Sequence, residues 1–390
     1  MAMSHPSPTP LPDIQDVTID ADRCIRVNGE PFVPIFAWWV DGKHFDALAG
    51  TGVNVALSPR ADLDYARAAA DRGMYIGANP RKDMAGHPRL LFWMHEDEPD
   101  CRIPDGPRLL MGEDHVPAQA TGEVPAEALI QQVMPALKQR RDHCRSLGDG
   151  RPVFLNFSYL FLERFWGPDA ISRPLYAAMA AAGDVLSWDI YPIAVSGRTD
   201  WLPLIYDGTD RLGSFAPDKP TCMFIECVRI REGYGARDPS EQEMRNEVWQ
   251  AIAAGARGIG YFTFGSKQSD SFADRSFAVS PQNQAAMARI NAEVTANTAL
   301  VCAEQLACGV RRDAAGMPEV AVSLRRDAKH LYFLAVNMRY ERHSIDLGKT
   351  LSLSLSTSPE AAQKAIERVP ADVLADMAPL EVRITSVAAR

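Results

Sequence analysis

Long apolar runs are missing from this chain. Its longest, around Phe32–Val40 and Val153–Phe161, fall well short of the ~20 residues that cross a bilayer, so no membrane span is expected. There is no basic stripe either: 41 Lys+Arg stand against 50 Asp+Glu, a net charge of −9, and neither sign forms a block. Phosphate binding needs such a stripe, which removes nucleic acid as an expected partner. Neither GxGxxG nor GxxxxGK[ST] occurs, which argues against a standard dinucleotide or P-loop site. The eight histidines show no HxH or HExxH spacing and the seven cysteines no CxxC pair, so neither a metal nor an organic cofactor is expected. An odd, scattered set (Cys24, Cys101, Cys144, Cys222, Cys227, Cys302 and Cys308) reads as buried free thiols in a reducing compartment. The first nineteen residues lack the basic start and apolar core of a secretory signal. A cytoplasmic location is the expectation, or a secreted one if a leader has been removed. Pro6, Pro8, Pro10 and Pro12 suggest a frayed tail over residues 1–18.

What is present is an ordinary globular mixture: 390 residues, 46% hydrophobic and 23% charged, with no internal repeat. Eight short β-branched or aromatic runs precede Ala299: Phe32–Trp39, Val53–Ser58, Met74–Ala78, Leu90–His95, Val153–Phe157, Val185–Ile190, Cys222–Glu226 and Gly258–Phe264. Most are continuously apolar, as parallel strands covered on both faces must be. Helical stretches lie between or after them at Leu63–Arg72, Ala126–Leu147, Arg173–Ala182, Glu241–Ala254 and Gln282–Ala299. Ser240 reads as the N-cap of the fourth of these, with Glu243 completing a capping box. Alternation of this kind predicts an α/β fold, a (β/α)8 TIM barrel over residues 19–300. The dozen residues between the third and fourth runs are too few for a crossover helix. After Ala299 short strand-like runs at Val320–Leu324, Leu331–Asn337, Ser344–Leu347, Leu351–Leu355 and Leu380–Ile384 predict a small C-terminal antiparallel β-sandwich domain, residues 301–390.

Barrels build their chemistry at the C-terminal ends of their strands. Read in order, those ends offer Trp38 and Trp39, Arg60, Asn79, then His95-Glu96-Asp97-Glu98-Pro99, Asn156 with Ser158, Asp189 with Tyr191, Glu226, and Phe264 with Lys267. Carboxylates thus end the fourth and seventh runs, and aromatics the first, sixth and eighth. Glu226 lies in Cys222-Met223-Phe224-Ile225-Glu226-Cys227-Val228, where a buried charge is costly unless it is used or paired. Facing carboxylates about 5–5.5 Å apart suit double-displacement hydrolysis of a glycoside. Aromatic rings suit the same ligand, because sugar rings present apolar C–H faces.

Val27-Asn28-Gly29-Glu30-Pro31-Phe32, Leu91-Phe92-Trp93 followed by Asp97-Glu98-Pro99, Asp189-Ile190-Tyr191-Pro192, and Glu247, Trp249, Gly255 and Tyr261 occur in that order. In this the chain resembles the clan A retaining glycoside hydrolases, and within them the bacterial β-galactosidase-like and cellulase-like branch. The resemblance spans roughly residues 19 to 300. It implies Glu98 as acid/base and Glu226 as nucleophile; the strand-end residues Trp38, Trp39, Arg60, His95, Asn156, Asp189, Tyr191, Phe264 and Lys267 are the candidates to surround a carbohydrate substrate. Two positions depart from the clan: Asp97 stands where many members carry Asn, and Phe264 where Trp is frequent. Asn156 or Arg60 would then supply the contact to the sugar's 2-hydroxyl.

Two readings of other classes fit the same residues. One is a catalytically silent carbohydrate-binding barrel. The other is a lyase or Schiff-base aldolase using Lys267, the only lysine near a strand end.

Overall fold

The computed structural model describes residues 11–103, 124–162, 169–266, 271–343 and 376–389. Three short strands, β1 (Val17–Ile19), β2 (Ile25–Val27) and β3 (Glu30–Phe32), form an antiparallel sheet ahead of the barrel. Asn28 and Gly29, both at positive φ (53° and 81°), turn the β2–β3 hairpin. Eight parallel strands follow: β4 (Ile35–Trp38), β5 (Val55–Ser58), β6 (Tyr75–Ala78), β7 (Leu90–Met94), β8 (Val153–Phe157), β9 (Val185–Asp189), β10 (Thr221–Glu226) and β11 (Gly258–Phe262). They close into a barrel because β11 pairs back onto β4, Ile259 opposite Ile35.

Strand alternation decides what fills the barrel. Phe36, Leu57, Phe92, Phe154, Val185 and Phe224 meet in one interior cluster, and Ile14, Ile25 and Val27 of the N-terminal segment join it. That segment plugs the bottom: Tyr75 donates to the carbonyl of Pro12 and Arg151 to that of Ile14, both from the starts of their strands. The alternate residues, such as Met223 and Ile225, face the helices in the larger outer cluster. Interior glycines make room for the rings. A Cβ on Gly260 would lie 1.9 Å from Cε2 of Phe36, so Gly260→Ala forces that ring out of its place against Phe154 and Phe224. The expected cost is about 1–3 kcal/mol or more, read as a melting temperature lowered by several degrees; an unchanged melt would contradict this packing.

Outside the strands lie α1 (Phe45–Gly50), α2 (Leu63–Ala70), α3 (Ala126–Ser146), α4 (Asp169–Ala180), α5 (Leu204–Phe215), α6 (Glu241–Ala253), α7 (Phe272–Arg275), α8 (Pro281–Ala296) and α9 (Thr298–Cys302). Helix α5 was not legible in the sequence. Its Gly208 lowers helix propensity, but a Cβ there would sit 2.1 Å from Trp188, so the glycine is needed to seat α5 on the barrel. Between β6 and β7 there is only a 3-10 turn, Lys82–Met84, yet the pair still forms, with a register shift between Ile76 and Gly77. Helix α6 carries the capping box, Ser240 Oγ accepting from the Glu243 amide and Glu243 accepting from that of Ser240.

After α9 come β12 (Glu304–Arg312), β13 (Pro318–Arg326), β14 (His330–Asn337) and β15 (Val382–Ala388), one antiparallel sheet in that order. The described residues show a single sheet here; the runs expected at Ser344–Leu347 and Leu351–Leu355 lie outside them. Strand β12, with charges at both ends and Gly309 inside, gave no strand pattern in the sequence. One sheet face packs on the barrel's helices, where Asn246 of α6 donates to the carbonyls of Asn337 and Leu380.

Candidate active site

The C-terminal ends of the strands gather three carboxyls around one amide. Asn156, last but one in β8, donates through Nδ2 to Asp189 Oδ2 at 2.8 Å and to Asp97 Oδ1 at 3.1 Å. Its own Oδ1 is buried and accepts no hydrogen bond among the described residues. Glu98 joins them from the turn after β7, in left-handed backbone (φ 44°, ψ 56°), and its carboxyl hydrogen-bonds that of Asp189. Desolvation, then the charges of Asp97 and Asp100, raise Glu98 to about 7. Burial and the charge of Glu98 lift Asp189 well above the usual carboxylate range. Two carboxyls in hydrogen-bond contact cannot both ionise, so the pair holds a proton at neutral pH.

The strained backbone at Glu98 is held from below. Asp100, buried, accepts from the Ser158 amide (3.1 Å), the Ser158 hydroxyl (2.8 Å) and the Tyr176 hydroxyl (3.0 Å). Those bonds clamp the β7 turn onto the end of β8 and aim Glu98 at the mouth. His95 has a different place. After the register shift β7 turns Met94 inward and His95 outward, where Nε2 meets the Leu137 carbonyl of α3 at 3.0 Å and Nδ1 accepts from the Glu96 amide. Both ring nitrogens are therefore engaged by the protein.

Glu226 ends β10 in phase with the interior residues Cys222 and Phe224. Its side chain is 0% exposed. The Ile193 amide donates to both its oxygens (2.9 and 3.1 Å) and that of Ala194 to one (2.7 Å), while its carboxyl meets that of Glu247 on α6. Burial, then the charge and hydrogen bond of Glu226, drive Glu247 far above its ordinary value. The pair's proton thus rests on Glu247, and Glu226, raised by burial to about 7, is the member solvated by amides.

Aromatic rings line the remaining rim. Tyr191, whose hydroxyl lies in the field of Asp189, Glu98, Asp97 and Glu226, contacts Phe262 (centroids 5.2 Å apart). Phe262 touches Phe264 (6.3 Å), Phe264 touches Phe272 (5.5 Å), and Phe272 touches Trp39 (4.9 Å). Trp39 leaves the β4 end in left-handed backbone (φ 53°), whereas Trp38 packs inside the barrel, edge-on to Phe224. Arg60 lies over both Trp39 (5.2 Å) and Phe272 (5.3 Å). Lys267 lies outside the described residues, and among them no group of His, Cys, Asp or Glu is arranged to hold a metal ion.

Solved structures of similar fold carry glycosidase names. They include a β-galactosidase from the Antarctic haloarchaeon Halorubrum lacusprofundi (14% identity, 67% of this chain and 58% of that chain, TM-score 0.46). A cold-adapted β-galactosidase from Rahnella sp. R3 aligns at 10% identity, 72% of this chain and 58% of that chain, TM-score 0.50. A family 5 glycoside hydrolase from Bacteroides vulgatus aligns at 13% identity, 86% and 83%, TM-score 0.49. The chain therefore spans 58% of the length of either β-galactosidase. The likeness at these identities is one of fold. No family model matches the sequence, and no curated protein does.

Several residues of the site escaped the sequence reading. Asp100 follows Pro99 in an acidic run and showed no sign of its hydroxyl partners. Glu247 stood in the sequence only as part of the family pattern, with no sign of its pairing to Glu226, and Phe272 and Arg275 lie beyond the strand ends.

The raised carboxyls also set the stability profile. Glu98 and Glu226 at about 7, against an ordinary 4.5, and Asp100 at about 6, against 3.8, bind protons more tightly in the folded chain than in the unfolded one. Their contribution is fully present below the unfolded values and is lost as pH rises through about 6 to 7. The melting temperature should therefore fall as pH is raised across that window at constant ionic strength; a rise there would contradict the assignment.

Proposed function

We propose that the chain is a glycoside hydrolase in which Glu98 protonates the departing glycosidic oxygen. The observation that carries this is the Glu98–Asp189 pair, two buried carboxyls that share a proton, with Glu98 raised to about 7, at a barrel mouth lined with rings that suit a sugar. Asp189, hydrogen-bonded to Glu98, positions the acid and shares its proton. In the finer form of the proposal hydrolysis proceeds with retention. Glu226 attacks the anomeric carbon as Glu98 donates its proton to the leaving oxygen; Glu98, now a carboxylate, then takes a proton from water as it displaces Glu226. Its support is the position of Glu226 at the end of the seventh barrel strand and its amide-solvated anion. Zero exposure of Glu226 favours a second reading, in which it braces the loop at Ile193-Ala194 and another mouth carboxylate activates water. The names of the fold neighbours agree with a carbohydrate substrate.

A panel of 4-nitrophenyl glycosides tests the proposal. Turnover of at least one is the expected result, with Glu98→Gln losing far more on the matching alkyl glycoside, whose leaving group needs a proton, than on the 4-nitrophenyl one; no turnover of any, with sugars still bound, would leave a silent binding barrel instead.

A further inference from the structure

The mouth is chemically lopsided. Its β7–β9 side presents acceptors: Asp97, Glu98, Asp189 and the unpartnered Oδ1 of Asn156. Its opposite side, built from the ends of β4, β5 and β11, presents donors that find no acceptor among the described residues. The exposed Arg60 guanidinium lies over the rings of Trp39 and Phe272, and among the described residues it has no ion-pair partner and no side-chain hydrogen bond. Arg275 lies 4.6 Å over Phe264 of the same aromatic band, and its Nε is buried without an acceptor. The indole Nε1 of Trp39 is also buried and has no acceptor among the described residues. A buried donor without a partner costs its full desolvation, and two such donors beside a stacked, unpaired guanidinium are not required by the fold.

Stacking fixes a guanidinium by its face and leaves its in-plane N–H fork free, the geometry that matches a planar anion. No carboxylate of the described protein takes that fork. We propose that this wall binds an anionic substituent of the sugar, a carboxylate or a sulfate ester, so that the substrate is an acidic glycoside. Arg60 is the primary contact, Trp39 Nε1 and Arg275 supporting donors, and the ring of Tyr191 marks the path from this wall to the carboxyl pair. The inference rests on the glycosidase reading for the word substrate, but its binding claim stands apart from turnover.

Calorimetric titration of the Glu98→Gln protein with phenyl β-D-glucuronide, phenyl β-D-glucoside 6-sulfate and phenyl β-D-glucoside separates the two. At least one anionic ligand should bind about tenfold or more tightly than the neutral one, and added salt should weaken only that ligand. Arg60→Gln should lower its affinity roughly 10- to 100-fold, the worth of charge-assisted hydrogen bonds, with partial recovery in Arg60→Lys. Which anionic ligand gains most tells carboxylate from sulfate. Equal affinity for all three, or an equal loss for all three in Arg60→Gln, overturns the inference. Arg60-dependent binding of acidic sugars by a wild-type chain that cleaves none of them would refute the hydrolase reading alone. Cleavage of neutral glycosides with no anion preference would refute this inference alone.

Discussion

Replacing Glu98 by Gln should lower kcat/KM for a glycoside with a poor leaving group by about 10²- to 10⁴-fold, the usual worth of a positioned general acid. A glycoside whose leaving group departs without a proton should lose far less. The pH profile carries a second signature. Glu98 raised to about 7 makes the active form the protonated one, so kcat/KM should fall above about pH 7 in the wild type, and that alkaline limb should disappear in Glu98→Gln. Gln keeps the size of the side chain and can still donate to Asp189, so the variant should fold and melt like the wild type. An equal loss for good and poor leaving groups, or an unaltered alkaline limb, would remove Glu98 from proton transfer.

The second large effect is at Glu226, where two substitutions separate chemistry from support. In Glu226→Gln an amide oxygen at the place of Oε2 can still accept from both Ile193 and Ala194, so the loop stays anchored. If Glu226 is the nucleophile, this variant folds normally yet loses roughly four orders of magnitude or more in kcat. Glu226→Ala leaves two backbone amides and Glu247 unpaired, at about 1–3 kcal/mol for each buried group. It should melt well below the wild type, and in the retaining mechanism added azide restores turnover with a glycosyl azide of inverted configuration. Nearly full activity in a stable Glu226→Gln protein would assign Glu226 to bracing and exclude double displacement through it. The wild-type profile bears on the same point. A nucleophile at about 7 adds an acidic limb, giving a narrow bell centred near neutrality, whereas a bracing role leaves that limb at the lower value of another carboxylate.

Much of the barrel was legible because a buried parallel strand is apolar at every position. Val153–Phe157 matches β8 end to end, and Cys222–Glu226 differs from β10 only by Thr221. A strand that escaped notice is β12, where hairpin pairing with β13 overrides a sequence that alternates poorly. Of the site, the strand-end rule brought Asn156, Asp189, Tyr191 and Glu98 to one mouth. It could not show that β7 shifts register and sends His95 to α3, nor that Trp39 leaves the strand in a left-handed turn while Trp38 stays inside. Carboxyl pairs are the hardest feature to read. Glu98 and Asp189 are 91 positions apart in the chain, Glu226 and Glu247 are 21, and only the closed barrel makes them neighbours.

The most direct measurement is time-resolved proton NMR of an aryl glycoside incubated with the wild-type chain, following the anomeric proton of the first sugar released. Release of sugar whose first-formed anomer matches that of the substrate is the predicted result. No release from any glycoside that binds would contradict glycoside hydrolysis at Glu98, and a first-formed sugar of the opposite anomer would contradict attack by Glu226.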